Sequence, residues 1–160
     1  MDNEIKAVEH TVRIIFDPKR LKEDPFTFQV DAGPVEEDFS IEVHANVAVI
    51  LFYLQTLTED LQHEASLATS PIQWLTPAGS AAPMPASFFL RRDGDSQMTL
   101  IDLNGVDIPH DKVTFNFEIA VVYKGRTYTS PDPTIVNVQP PPPEDGGVKT
   151  KPRPAELMVS

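Results

Sequence analysis

Imidazole is the side chain most often found on a metal and the one that titrates near neutrality, so the four histidines are weighed first. They are His10, His44, His63 and His110. No two of them stand two or four residues apart, the spacings that put a pair of ligands on one face of a strand or helix. His10 is in phase with an apolar alternation and His44 with a polar one, which reads as ordinary core and surface histidines and predicts no transition-metal site. Carboxylates offer a second chemistry. Asp93, Asp95, Asp102, Asp107 and Asp111, with Asn104, fall close together around two turns. Calcium takes about six to eight oxygen ligands, and sandwich loops often supply them. Asp93-Gly94-Asp95-Ser96 resembles part of a calcium loop, yet no Glu follows at the closing distance, and Asp and Asn make turns without any metal.

Covalent catalysis finds even less support. The chain has no cysteine, which excludes thiolate chemistry and Cys-type zinc sites. Its serines lie in no Gly-x-Ser-x-Gly or Ser-x-x-Lys arrangement, and no glycine-rich phosphate loop is present. The expectation is a non-enzymatic protein without cofactor or metal. Two apolar features point to partners instead. Trp74 is the sole tryptophan and lies between Pro71 and Pro77 on a short edge strand. It reads as core first and as an interface anchor second. Leu157, Met158 and Val159 form an apolar cluster at the C-terminal end.

The elements that position these residues are strands. From Lys112 to Tyr123, Val113, Phe115, Phe117, Ile119, Val121 and Tyr123 take alternate places, with Thr114, Asn116 and Glu118 between them. That period of two makes one apolar and one wetter face. Ala120 and Val122 extend apolar character to the second face near a Lys124-Gly125 hairpin turn, where glycine accepts positive φ. Further alternations run over 8–16, 26–30, 39–43, 87–92 and 97–103, and 126–129 and 134–138 follow the hairpin. Val47 to Leu54 is continuously apolar and rich in Val, Ile and aromatics, which predicts a strand buried on both faces. Thr58 to Ser70 is ambiguous between a helix capped by Thr58, a single turn and a loop, ended by Pro71 before a short strand at Ile72 and Trp74.

Eight or nine strands with short turns and no long helical period predict an all-β fold, an antiparallel two-sheet immunoglobulin-like β-sandwich over residues 1–139. Residues 140–160 read as a proline-rich flexible tail, with Pro140 to Pro143 in a run and Lys-Thr-Lys-Pro-Arg-Pro after it. Asp132, Pro133, Ile135 and Asn137 resemble the Asp-Pro-x-Ile-x-Asn strand of the DP-EP family of bacterial β-sandwich proteins, with Val138-Gln139 in place of that family's Glu-Pro. The family has no assigned activity, so the resemblance implies the fold alone.

Composition narrows the partners. The 160 residues carry a net charge of −11, which repels nucleic acid and anionic membranes. Lys19-Arg20 and Arg91-Arg92 are the adjacent basic pairs, and acids follow each. The N-terminus lacks the basic and apolar regions of a secretory signal, and the longest apolar run is too short for a bilayer. These features predict a soluble, cytoplasmic protein of bacterial style. The resulting functional expectation is a protein–protein interaction module, self-associating into a homo-oligomer or binding a protein partner, with Leu157, Met158, Val159 and Trp74 as contact residues. The alternative is a ligand-binding sandwich that takes carbohydrate or uses calcium.

Overall fold

The structure, a computed structural model, describes residues 6–60, 62–104, 112–131 and 133–138. These form eleven strands and a single 3₁₀ turn at Pro18–Arg20, with no α-helix among the described residues. One sheet contains β1 (Ala7–Phe16), β2 (Phe26–Val30), β3 (Val35–Glu36), β5 (Val47–Thr56), β7 (Phe88–Arg92) and β8 (Gln97–Leu103). Its order is β3-β2-β1-β5-β8-β7. The second contains β4 (Ser40–Val43), β6 (Ser66–Leu75), β9 (Lys112–Tyr123), β10 (Arg126–Thr129) and β11 (Thr134–Val138).

β9 organises the second sheet. Its two halves pair on one side with β10, through Ala120 to Tyr123, and with β11, through Lys112 to Asn116. β6 pairs with residues 116–119 and 121–122 of β9, so it must occupy the opposite side. β10 and β11 therefore run end to end, with β4 beyond β11. Lys124 and Gly125, both at positive φ (49° and 77°), make the tight turn that the sequence pattern requires.

The antiparallel expectation fails at two places. β1 lies parallel to β5 over its whole length, and β11 lies parallel to β4, which makes both sheets mixed. Alternation fixes which face of a strand is buried and carries no information about the direction of its neighbour. The region 58–75 also departs from expectation. Thr58 Oγ1 accepts the Asp60 N–H at 3.0 Å in a loop, and no helix follows among the described residues. β6 starts at Ser66 and runs through Pro71, where four residues, 68–71, bulge opposite Ala120 alone. A proline survives mid-strand here because β6 is an edge.

The two inner faces enclose the core. Phe16, Phe26, Phe28, Phe52, Phe88 and Phe117 are fully buried. Aromatic contacts run across it from Phe28 to Phe39 (5.0 Å between centroids), on to Phe117 (6.1 Å), Trp74 (5.4 Å) and Phe88 (4.7 Å). Offset and edge-on pairs of this kind add to the stabilisation from burial.

Candidate functional site

The chemistry-bearing side chains are dispersed. His10 Nδ1 lies 2.6 Å from Asp31 Oδ2, across the gap between β1 and the turn after β2. The Thr11 N–H donates to the other Asp31 oxygen at 2.8 Å. Partial burial pushes the Asp31 pKa up, but these bonds outweigh it and leave the carboxyl below its usual range. His44 pairs with Glu42 on β4, and His63 with Asp60 in the loop before β6. His110 lies outside the described residues. Among the described residues no three His, Cys, Asp or Glu side chains gather as a metal would need.

The calcium-like segment is occupied by protein. Asp93 accepts from the Thr99 hydroxyl at 2.6 Å and from Arg91 Nε at 2.6 Å, bonds that hold its pKa below the usual range. Asp95 stands 3.6 Å from Arg92. Asp107 and Asp111 lie outside the described residues.

Asp102 is different: the sequence groups it with the turn carboxylates, and nothing there marks it as a buried group. On β8 it points between the sheets, where Asn137 Nδ2 of β11 donates to its Oδ1 at 2.8 Å. Asn104 Nδ2 lies 3.0 Å from the carbonyls of Val43, Ala45 and Val138, tying the β4–β5 corner to the end of β11. All three side chains are buried, and Asp102 Oδ2, Asn104 Oδ1 and Asn137 Oδ1 have no partner among the described residues. Burial pushes the Asp102 pKa up to about 6, with the Asn137 bond opposing it. A neutral Asp102 could donate from Oδ2 to Asn137 Oδ1 and complete a two-bond acid–amide pair. This cluster locks the two sheets together at one end of the sandwich.

The largest departure from the expected burial lies on β5. Ala48, Ile50, Phe52 and Leu54 face the core, but Val47, Val49 and Leu51 are half-buried and Tyr53 is 38% exposed. The neighbouring strands continue this outer face. Val47 pairs with Leu103 and Val49 with Ile101, and Ile101 pairs in turn with Phe89 of β7, which is 55% exposed. The predicted second layer over β5 is absent among the described residues, because the second sheet covers only the inner face. The result is an apolar surface of seven side chains bordered by Glu9, Thr11, Arg13, Gln97 and Arg91. Contiguous apolar patches of this kind are uncommon on isolated soluble domains.

Trp74 is 6% exposed and packs on Phe88 and Phe117, so its ring belongs to the core. One side of it borders a shallow depression with Ile72, Met84 and Leu90. Leu157, Met158 and Val159 lie outside the described residues. No described helix is long and apolar enough to cross a membrane.

No protein-family model matches the chain, and comparison with curated proteins gives no match. Among solved structures, the inclusion body protein PixA from Burkholderia cenocepacia J2315 is similar at a TM-score of 0.37 and 10% sequence identity, over 88% of this chain and 98% of that one.

Proposed function

We propose that this chain is a non-enzymatic, immunoglobulin-like β-sandwich that works in the cytoplasm by protein–protein association and associates with itself. The observation that carries the reading is the apolar face of β5, β8 and β7, which no described residue covers. Covering Val47, Val49, Leu51, Ile101 and Leu103, with Tyr53 and Phe89, would remove their apolar surface from water at roughly 25 cal/mol per Å². The described histidines and their carboxylate partners, each hydrogen-bonded to a near neighbour, offer no competing centre of comparable extent.

A carbohydrate platform is the second use of exposed aromatics on a sheet. Tyr53 and Phe89 are four residues apart along β8's register and two strands apart across the sheet. At about 3.3 Å per residue and 4.8 Å per strand they stand roughly 16 Å from each other, too far to flank one sugar ring. Protein association is the better use of that spacing.

Light scattering after size exclusion tests the reading. The wild-type chain should associate in a concentration-dependent manner, and Tyr53→Ser combined with Phe89→Ser should weaken association at least tenfold while leaving the melting curve nearly in place. Identical scattering of both proteins across the concentration range would refute it.

A further inference from the structure

Among the described residues the sandwich has five strand edges, and four of them are guarded. β10 is four residues long and carries Arg126 close to Lys124. β3 is two residues long. β4 follows Glu36, Glu37 and Asp38, so two copies meeting there would bring six carboxylates together. β6 carries the 68–71 bulge and Pro71; the Arg92 guanidinium occupies its Leu67 and Ala68 carbonyls, and the Ala82 N–H takes the Trp74 carbonyl. Bulges, prolines and charges are the usual means of keeping an edge from pairing. β7 has no bulge and no proline. Its arginines are offset locally, Arg91 by Asp93 and Arg92 by Asp95, so two positive and two negative groups sum to zero in a chain of net charge −11.

The ladder fixes which backbone groups this edge offers. The Leu103 N–H donates to the Ser87 carbonyl and the Asp93 N–H to the Gln97 carbonyl. Antiparallel pairs alternate between bonded and non-bonded, so Phe89 and Arg91 direct their N–H and C=O toward β8. Phe88, Leu90 and Arg92 direct theirs outward. The Phe88 N–H is taken by the Pro85 carbonyl, which leaves the Phe88 C=O and both groups of Leu90 and Arg92.

We infer that β7 pairs antiparallel with β7 of a second copy about a two-fold axis at Leu90. This inference rests on the self-association proposed above and adds an edge contact that joins two copies without itself covering the apolar face. In that register Leu90 opposes Leu90 with both backbone bonds made, and Phe88 opposes Arg92. Phe89 falls beside the other copy's Arg91 in a non-bonded pair, where side chains stand closest, and a guanidinium over an aromatic ring is attractive. The pairing repeats itself across the axis, as an isologous contact must. It also sets the two apolar faces side by side in one continuous sheet.

Introduced cysteines and one proline test this in the full chain, which has no cysteine of its own. Mixed under mild oxidation, Phe89→Cys and Arg91→Cys proteins should cross-link to each other, because non-bonded partners have Cα atoms about 4.5 Å apart, within disulfide reach. Neither should cross-link well alone, since two residues of offset separate like positions. Leu90→Pro removes an outward N–H that β8 does not use, and should reduce the dimer at least tenfold. Tyr53→Ser, two strands from the axis, should leave it intact. Association that survives Leu90→Pro, with no mixed cross-link, overturns the β7 register but leaves association through the apolar face standing. A wild-type chain that never associates overturns both. Should Leu90→Pro fail to fold, the mixed cross-link alone decides.

Discussion

A carboxyl with one donor for two oxygens is an uneasy occupant of a protein interior, and Asp102 is such a group. Between its ordinary value of 3.8 and the folded value of about 6, the unfolded chain releases this proton before the folded chain does. Its contribution to stability is therefore complete below 3.8 and is lost as pH rises, amounting to about 3 kcal/mol when the loss is complete. Asp102→Asn keeps the shape, stays neutral and can donate to Asn137 Oδ1. The variant should melt several degrees above wild type at about pH 7.5 and lose most of that advantage near pH 4. A variant less stable than wild type at both would show that the ionised carboxyl is accommodated in a way the pair does not reveal. Phe117 gives the contrasting residue-scale test. It is fully buried against Phe39 and Trp74, so Phe117→Ala should lower unfolding free energy by about 3–5 kcal/mol. Thr114→Ala, on the exposed face of the same strand, should change it by well under about 1 kcal/mol in the same urea titration.

At the scale of elements, the junction between β10 and β11 depends on one hydroxyl. Buried Ser130 Oγ accepts the Ile119 N–H at 2.9 Å and donates to the Pro131 carbonyl at 2.8 Å, while its own N–H reaches the Ile119 carbonyl. Ser130→Ala leaves a buried N–H unpaired and should cost about 1–3 kcal/mol in urea unfolding, with an unchanged m-value. No pattern in the sequence singles out Ser130, and while Asp102 stands among the turn carboxylates and Asn137 in the Asp-Pro-x-Ile-x-Asn pattern, nothing there pairs the two or marks them as inward. Alternation did locate β2, β8 and β9, because the core imposes its period on a strand with one buried face, and the hairpin turn placed β10 and β11 after it. It failed where burial is not periodic. β6 is bulged and interrupted by Pro71, so its residues 66–71 read as loop or helix, and β3 is too short to carry a period. On β5 the apolar run was legible but its meaning was not. A continuous apolar strand reads as covered on both faces, while Val47, Val49 and Leu51 form part of an open surface. Composition cannot distinguish a face covered within the chain from one available to a partner.

For the whole molecule, apolar attraction and charge act against each other. Each copy carries a net charge of −11, and two copies in contact repel over the Debye length, about 10 Å at 0.1 M salt. At the β7 side the local charges cancel, and the apolar face is bordered by Arg13 and Arg91 with Glu9 of opposite sign beside Val49. Salt should therefore act mainly on the long-range repulsion and leave the contact itself nearly untouched. Raising salt from roughly 0.02 M to 0.3 M should strengthen self-association severalfold. A contact held by ion pairs, for instance Arg91 reaching a carboxylate of the other copy, would respond in the opposite sense. Sedimentation equilibrium at the two salt concentrations separates these cases. Association that weakens with salt would mean that charge complementarity, and not the apolar surface of β5, β8 and β7, holds the copies together.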